Sequence, residues 1–395
     1  MNRIYSYLPK NESSFEEQFN NCMQQLEKTI ANYNFDYNQI VKFSIFINST
    51  NNISYIQKKN EIITLLKNRK NTIPISPSII GQPPQDNKQI AMEVFVYDKS
   101  DKSTTIYQKE YEGINYVLID SSFNKELYVG GITSSNNFSS VYHQSKDVFQ
   151  KMYEILEIEG MDFSDVVRQW NFIENILQIS QNGAGPKQNY QIFNDVRTDF
   201  YNTSNYKNGY PAATGIGMNS GGVILEFIAV TDSEANSIIS IKNPQQTDAH
   251  QYTEKVLVGA NSEIKATPKF ERAKVLATEN GDKIFISGTA AILGENTIKD
   301  NSVETQTEIT IDNIDALISS QNMNTHGITV DGETVKEYIR VYVKDEKEIP
   351  KVKEVCENKW GNIQALYLVS DICRDDLLVE IEGVGKIINS RVLEN

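Results

Sequence analysis

Apolar residues along this chain follow the spacing of helices in some stretches and the composition of strands in others. Two stripes have the spacing of a single helix face: Val148, Met152, Ile155 and Leu156, and then Ile314, Leu317 and Ile318. Runs rich in β-branched and aromatic residues flank both predicted helices, with ELYVGGI and KIFISGT before them and VVRQWNFI and EYIRVYV after them. This order predicts an α+β fold whose sheets carry helices on one face.

The same pattern of helix and strand occurs three times. Residues Gln18 to Asn48 align without a gap on Gln144 to Glu174, at an offset of 126 positions, and a third copy of the helix begins at Gln306, 162 positions after Gln144. A period above about 100 residues indicates duplicated domains, because each copy is long enough to bury its own core. We therefore predict three units, at residues 1–112, 113–255 and 256–395, and expect the first to lack its leading strands.

Each predicted unit ends in an apolar run that contains a glutamate. These are Glu93 in QIAMEVFVY, Glu226 in GGVILEFIAV and Glu380 in DLLVEIEGV, so the repeat predicts that the three occupy equivalent positions. Three similar units in one chain take the place of the three subunits of a trimer. We expect a monomeric pseudo-trimer with its sheets around a common axis.

The composition excludes several classes of protein. Of the 395 residues 39% are hydrophobic and 23% charged, which is ordinary for globular proteins, and the net charge of −14 opposes any surface for nucleic acid. No run approaches the roughly 18 apolar residues that a membrane span needs, and the N-terminal residues show no apolar signal segment. We expect a cytoplasmic protein that binds neither nucleic acid nor membranes and holds any anionic substrate with a few local arginines.

No motif for a metal or a cofactor stands out. The cysteines and histidines are isolated residues without a ligand-like spacing: Cys22, Cys356, Cys373, His143, His250 and His326. The glycine-rich stretch GIGMNSGG leads into the strand-like run VILEFIAV, so no helix N-terminus is available to hold a phosphate. We therefore expect neither metal nor cofactor.

Several stretches carry a resemblance to one known family. They are VVRQWNFIENI at 166–176, YQIFNDVR at 190–197, GYPAATGIGM at 209–218, NPQQTDAHQY at 243–252, ISGTAAI at 286–292 and DICRDDLLVEIEG at 371–383. With these stretches the chain resembles the chorismatases, enzymes that join Rid/YjgF-like (chorismate mutase-like) domains in one chain. The resemblance implies cleavage of the enolpyruvyl ether of chorismate to pyruvate plus a hydroxybenzoate or a dihydroxycyclohexadiene carboxylate.

The resemblance also implies a catalytic acid. An enol ether is cleaved by protonation of its methylene carbon, which requires a carboxylic acid that is still protonated near neutral pH. Glu380 lies among apolar neighbours that would desolvate it and raise its pKa, and it matches the glutamate of the family's terminal motif. The alternative is a strand residue that only caps a neighbouring loop.

Cys373 lies seven residues before Glu380, where the resemblance associates a cysteine with the 3-hydroxybenzoate type of product. A thiol could donate or relay a proton to an arene-oxide-like intermediate. Burial as a small hydrophobic side chain is the alternative.

The substrate implied by the resemblance carries two carboxylates, which arginine binds better than lysine because its guanidinium is planar and bidentate. The predicted substrate-binding residues are Arg197, Arg374, Tyr190, Thr214, Gly288, Thr289 and Ala290. The two arginines could instead form rim ion pairs, whereas the tyrosine and threonine are candidate hydrogen-bond donors. The stretch from Gly288 to Ala290 would let the backbone approach the ligand.

Two positions depart from the family's pattern. Gln188, Asn189 and Tyr190 stand where chorismatases have E-R-Y, and Tyr367 stands where the small Rid imine deaminases carry an arginine. The first departure leaves open a Rid-like protein that binds a small carboxylate without turnover, or one that acts on a different enol ether in aromatic pigment or polyketide biosynthesis. The second argues against imine deamination.

Overall fold

The fold consists of three mixed sheets with helices packed against them. The structure is a computed structural model, and it describes residues 2–10, 14–69, 73–98, 104–122, 124–135, 140–182, 185–231, 238–257, 265–277, 282–299, 302–388 and 390–392. The α+β fold class predicted from the sequence is confirmed, since strands and helices alternate along the chain.

The first sheet has four strands in the order β1-β4-β2-β3 within the described residues. Its elements are β1 (Asn2–Tyr7), α1 (Phe15–Tyr33), β2 (Ile40–Ile47), α2 (Asn52–Lys67), β3 (Ser78–Ile80) and β4 (Ile90–Tyr97). The N-terminus of α1 is fixed by a capping box between Ser14 and Glu17, which satisfies two otherwise unpaired backbone groups. The expectation that this unit begins with its helix is wrong, because β1 precedes α1 and pairs with β4.

The second sheet has the order β11-β8-β12-β7-β6-β5. Its elements, with the separate hairpin β9-β10, are β5 (Thr105–Tyr111), β6 (Ile114–Asp120), β7 (Lys125–Thr133), α3 (Val141–Ile158), β8 (Val166–Glu174), β9 (Ile179–Asn182), β10 (Gly185–Gln188), α4 (Asn189–Tyr201), β11 (Ala212–Met218) and β12 (Val223–Val230). The predicted stripe of α3 is buried against this sheet, because Val148, Met152, Ile155 and Leu156 are all inaccessible to solvent.

The third sheet has the order β13-β14-β15-β21-β19-β20. The elements of this region, which also form the hairpin β16-β17 and the two-stranded sheet β18-β22, are β13 (Ile238–Ile241), β14 (Ala273–Leu276), β15 (Asp282–Ala290), β16 (Ile292–Leu293), β17 (Asn296–Thr297), α5 (Val303–Ile318), α6 (Ser320–Thr325), β18 (Ile328–Val330), β19 (Thr334–Val343), α7 (Ile349–Trp360), β20 (Ala365–Val369), β21 (Val379–Ile387) and β22 (Ser390–Val392). Short 3-10 helices lie at Tyr37–Gln39, Phe163–Asp165, Ala249–Gln251, Glu254–Val256 and Glu346–Glu348.

The three sheets share one four-stranded arrangement. The orders β1-β4-β2-β3, β7-β12-β8-β11 and β15-β21-β19-β20 are the same, and in each the last two strands form the parallel pair. The second and third sheets each add two antiparallel strands at one edge. These edge strands begin at Thr105 and Ile238, earlier than the unit boundaries expected at 113 and 256.

The helical layers of the second and third sheets enclose cores of their own, and a larger core joins the three sheets and includes α1 and α2. One cluster packs α3 and α4 on the second sheet, and another packs α5 and α7 on the third. The largest cluster contains residues of all three sheets, among them Phe46 of β2, Phe172 of β8 and Tyr342 of β19. The helix-free faces of the sheets therefore contribute to one shared apolar core.

Six charged side chains lie buried within this shared region and connect the three sheets. We call Lys42, Glu93, Arg168, Glu226, Arg340 and Glu382 the charge cluster; none of these side chains is more than 4% exposed. Lys42 of β2 pairs with Glu226 of β12 at 2.8 Å. Arg168 of β8 pairs with Glu382 of β21, and Arg340 of β19 pairs with Glu93 of β4 at 2.5 Å. The cation of each sheet thus pairs with a glutamate of the next sheet, so the three pairs connect the sheets in a cycle.

The strand register confirms the expected equivalence of the three glutamates: Glu93, Glu226 and Glu380 lie opposite Ser44, Trp170 and Tyr342, each of which follows the cation of its sheet by two residues. Glu93 and Glu226 belong to the charge cluster, but its third carboxylate is Glu382, which lies opposite Arg340. Burial alone would raise the pKa of Glu93, but the opposing charges of Arg340 and Lys42 lower it, so this carboxylate stays ionised. Glu380 lies outside the cluster and faces a pocket.

Replacing Arg340 by Met should destabilise the fold by about 3 to 5 kcal/mol, because Glu93 would remain buried without its strongest cation. Urea denaturation followed by circular dichroism measures the change. Lys353→Ala is the control, since Lys353 and Glu357 form an exposed pair whose loss should cost less than about 1 kcal/mol. Equal effects of the two substitutions would contradict a structural role for the charge cluster.

Candidate active site

A pocket lies where the second sheet and helix α4 meet the third sheet. It encloses about 720 Å³ of empty space, including the solvent at its mouth. Its lining combines apolar and polar side chains: Gln188, Tyr190, Gln191, Asn194, Ala213, Gly215, Tyr252, Val256, Leu257, Pro268, Phe270, Arg272, Gly288, Ala290, Ile292, Cys373, Arg374, Leu377 and Glu380.

Glu380 is the acidic group of this pocket. It lies on β21, opposite Ala290 of β15 and Tyr342 of β19, and is 5% exposed. Burial raises the pKa of its carboxyl to about 8, the charge of Glu382 adds to the rise, and Arg168 and Arg272 oppose it. Glu380 is therefore mostly protonated at neutral pH, as a general acid must be.

Gly288 makes room for this carboxyl. A Cβ atom built on Gly288 would lie 2.1 Å from Oε1 of Glu380 and 2.9 Å from its carboxyl carbon. Any larger residue would have to displace the acid, because atoms cannot approach so closely. The glycine therefore determines where the carboxyl of Glu380 sits.

Two arginines line the pocket on either side of one tyrosine. The guanidinium carbons of Arg272 and Arg374 lie 5.6 Å and 5.3 Å from the ring centre of Tyr252, both within cation-π range. Arg272 is 3% exposed and donates to the Tyr252 hydroxyl at 2.6 Å, while its Nε has no partner among the described residues. Arg374 donates to the carbonyl oxygen of Glu295 at 2.9 Å. The pair can hold carboxylates at one end of the pocket.

Helix α4 contributes polar side chains to the opposite wall. Tyr190 and Asn194 are one helical turn apart, so both face the pocket, and the ring of Tyr190 packs closely on Gly215. Asn194 hydrogen-bonds the Tyr190 hydroxyl. Behind it, Nη2 of the buried Arg197 donates to Oδ1 of Asn194 at 2.6 Å. This contact orients the carboxamide of Asn194.

Cys373 lies in the loop after β20 and contributes a partly buried thiol to the pocket. Burial raises its pKa to about 12, and the nearby charge of Glu380 adds to the effect. The side chain is therefore a neutral thiol at physiological pH, suited to donate a proton and not to attack as a thiolate.

Comparison with known proteins identifies the family. The chain is 33% identical over 286 residues to 3-hydroxybenzoate synthase from Streptomyces hygroscopicus, an alignment that spans 70% of this chain and 77% of that protein. The chain belongs to the chorismatase family. A family model described as "Chorismatase FkbO/Hyg5-like, N-terminal" matches residues 108–229.

Two further comparisons agree with this assignment. A protein named chorismatase from the same organism is 28% identical over 263 residues, covering 66% of this chain and 72% of its own length. A crystal structure of chorismatase superposes with a TM-score of 0.68 at 21% identity, covering 96% of this chain and 98% of that one. The whole fold is therefore that of a chorismatase.

Most of the predicted catalytic and substrate-binding residues line the pocket. Of the predicted residues, those that line it are Glu380, Cys373, Arg374, Tyr190, Gly288 and Ala290. Arg197, Thr214 and Thr289 do not line it. The hydroxyl of Thr214 bonds to Arg168 and Glu382 of the charge cluster, and that of Thr289 donates to the carbonyl oxygen of Ser287 at 3.0 Å.

The positions that depart from the expected patterns are only partly in the pocket. Gln188 lines it, whereas Asn189 is 3% exposed and donates through Nδ2 to the carbonyl oxygens of Glu174 and Asn175 at the end of β8. Tyr367 is 4% exposed on β20, where it interacts with Cys356 of α7. The side chains of Asn189 and Tyr367 are thus held by contacts outside the pocket lining.

Sequence reasoning missed Arg272, Asn194 and Tyr252. Asn194 had a usable signal, because it follows Tyr190 by four residues in a stretch predicted to bind the substrate. Arg272 and Tyr252 belong to the irregular segment between β13 and β14 of the third sheet, where no periodicity indicates which side chains point inward.

Two further searches cover the described part of the chain. None of its helices is long and apolar enough to cross a membrane. No group of three or more His, Cys, Asp or Glu side chains in that part is arranged to hold a metal ion.

The raised pKa of Glu380 makes stability depend on pH. Below its ordinary pKa of 4.5 the carboxyl is protonated in both states, whereas between 4.5 and about 8 only the unfolded state ionises, so stability is lost as pH rises. Glu380→Gln removes this loss and should stabilise the protein by up to about 4 kcal/mol near pH 8. Denaturant unfolding from pH 5 to 8.5 measures the difference, which would stay constant across this range if Glu380 were an ordinary surface carboxylate.

Proposed function

We propose that this protein is a chorismatase that cleaves the enolpyruvyl ether of chorismate and releases pyruvate. The observation that carries the proposal is the position of Glu380, a protonated carboxyl in a pocket that also presents two arginines. An acid and an anion-binding pair are the two parts that this reaction needs. The relatives named chorismatase and 3-hydroxybenzoate synthase support the choice of substrate.

Glu380 is the general acid of the proposed reaction. It gives its proton to the methylene carbon of the enolpyruvyl group, and the resulting cation is stabilised by the ether oxygen. A carboxyl with a pKa of about 8 suits this step, because it is protonated at neutral pH yet able to release its proton. Gly288 fixes the direction of the donor by confining the carboxyl against β15.

Arg272 and Arg374 hold the two carboxylates of the substrate. Arg272 takes the place that the sequence had suggested for Arg197, since it lines the pocket and keeps one guanidinium N–H group free of any partner in the described residues. The net charge of the chain repels a dianion, so this local pair must provide the attraction. Tyr252 keeps the two guanidinium groups apart and aligned.

Arg197 acts indirectly in this scheme. Its guanidinium fixes Oδ1 of Asn194, and Asn194 in turn holds the oxygen of the Tyr190 hydroxyl. The phenolic proton of Tyr190 is then directed into the pocket, where it can bond a carboxylate or hydroxyl of the substrate. Gly288 and Ala290 form part of the pocket wall, whereas Thr214 and Thr289 lie outside its lining, and none of the four binds the substrate through its side chain.

Cys373 directs the product toward 3-hydroxybenzoate. Chorismate and the sum of pyruvate and 3-hydroxybenzoate have the same composition, so this route consumes no water, whereas the diene product requires one. The relative with 33% identity is named for this product. The neutral thiol of Cys373 donates its proton to the oxygen of the ring intermediate, in which the neighbouring hydroxyl has displaced the protonated enolpyruvyl group as pyruvate. The proton that leaves the ring carbon as the ring becomes aromatic then returns to the sulfur.

The chain is built as a pseudo-trimer of three Rid-like units in one monomer. The common four-stranded order and the cyclic pairing in the charge cluster support this arrangement. We place the units as the sheets divide the chain, so that the second begins near Thr105 and the third near Ile238. The working pocket then lies between the second and third units.

Glu380→Gln should abolish pyruvate release from chorismate while leaving its affinity nearly unchanged, because the amide cannot protonate carbon but keeps the size of the acid. A coupled lactate dehydrogenase assay measures turnover, and calorimetry measures binding. Glu337→Gln on β19 is the control, since that side chain is exposed and should leave turnover unchanged. A Glu380→Gln variant that retains turnover would falsify the proposed role.

Cys373→Ala should shift the product from 3-hydroxybenzoate toward the dihydroxycyclohexadiene carboxylate, since the ring intermediate loses its proton donor and the pocket gains space for water. Mass spectrometry of the organic product, at equal pyruvate yield, measures the partition. Cys356→Ala is the matched control because that thiol is buried in α7, away from the pocket lining. An unchanged product ratio would leave Cys373 without a role in product choice.

A further inference from the structure

Glu380 and Glu382 are alternate residues of β21, so both side chains project from the same face of the third sheet. One reaches the pocket and the other reaches the charge cluster. Glu382 accepts hydrogen bonds or ion pairs from five groups, the side chains of Arg168, Thr214, Trp170, Arg340 and Tyr342. This set of donors holds Glu382 as a fixed carboxylate next to the proposed acid.

Thr214 links the two glutamates through the pocket wall. Its hydroxyl donates to Glu382 and accepts the N–H group of Gly288 at 3.1 Å. Gly288 is the residue whose backbone lies against the Glu380 carboxyl. The position of the acid is thus tied to the charge cluster by a short chain of contacts across two sheets.

The other two carboxylates of the charge cluster have no such neighbour. Glu382 lies opposite Arg340, where the other two sheets have the buried apolar residues Phe95 and Ile228 opposite their cations. Among the three cluster carboxylates only Glu382 therefore has a second acid two positions away on its own strand face. Glu93 and Glu226 therefore show what a buried carboxylate of the cluster does for the fold alone, whereas Glu382 also lies beside an acid of the pocket.

We propose that Glu382 is a positioning residue whose fixed negative charge keeps the adjacent Glu380 protonated over the pH range in which the enzyme works. The inference rests on the proposed role of Glu380 as the acid. Two carboxylates on one face of a strand resist simultaneous ionisation, so the one without its own cations keeps its proton.

The other charged and titratable groups around Glu380 determine the direction in which its pKa should change when Glu382 is neutralised. They are Arg168 on β8, Tyr190 on α4, Arg272 before β14 and Cys373 after β20. Both arginines favour the ionised form of Glu380, whereas Tyr190 and Cys373 are neutral at physiological pH. Neutralising Glu382 removes the opposing anion and also leaves the positive charge of Arg168 uncompensated, so both changes favour loss of the proton.

The test is the pH profile of kcat for pyruvate release from chorismate. Activity of the unaltered protein should fall as pH rises through about 8, where Glu380 ionises. In Glu382→Gln this alkaline limb should move at least about one unit lower, which is a loss of about tenfold at pH 8 relative to pH 6. Glu226→Gln is the matched control, because it breaks an equally buried pair with Lys42 and should lower stability without moving the limb.

If Glu382→Gln fails to fold, Arg168→Met provides a second test, in which the alkaline limb of the pH profile should shift in the opposite direction. This change removes the cation and leaves the anion, so the alkaline limb should move to higher pH. The proposal is overturned if the limb stays in place in both variants, or if Glu226→Gln moves it equally. Activity in Glu380→Gln would instead refute the underlying role of the acid, so the two failures are distinguishable.

Discussion

The burial of three acids and three bases between the sheets is the constraint on which the rest of the structure depends. A single ion removed from water costs several kcal/mol, and only a well-placed partner offsets that cost. The pairs Lys42–Glu226, Arg168–Glu382 and Arg340–Glu93 each join two sheets, while Lys42–Glu93 and Arg340–Glu382 add contacts within a sheet. Because each sheet shares its buried ions with both of the other sheets, the charge cluster helps to specify which sheets meet and in which order.

The pocket depends on the same constraint. It forms where the second and third sheets meet, with Gly215 of β11 and Gly288 of β15 on its walls. Outside the pocket lining, Arg168 and Glu382 join the two sheets by an ion pair. The hydroxyl of Thr214 bonds to both side chains and to the backbone N–H group of Gly288, which lies next to Glu380. Architecture and acid chemistry are therefore connected through a few buried side chains, and the apolar surroundings of Glu380 give it the protonation that the proposed reaction requires.

The sequence was sufficient for the repeated order of elements and for the buried carboxyl of Glu380. Helix periodicity and the offset of 126 positions identified the repeat, and the apolar neighbours of Glu380 suggested the raised pKa that its burial produces. The repeat did not show that Glu382 belongs to the charge cluster, because the equivalent residues Phe95 and Ile228 are uncharged and contacts between sheets depend on the tertiary structure. Arg272 and Tyr252 escaped notice because they lie in irregular chain, whose side-chain directions depend on tertiary contacts.

The joining of three sheets in one chain has a consequence for how such a protein can diverge. In an assembly of identical subunits every substitution is made three times, so an added carboxyl beside the central ions would put three extra acids around one axis. Here Phe95, Ile228 and Glu382 occupy the equivalent places and can change independently. One junction can carry a second carboxyl while the other two retain apolar residues and preserve the fold. Fusion of the three sheets in one chain thus allows a second carboxyl at one junction between sheets, without the free-energy cost of burying the same group at the other two junctions.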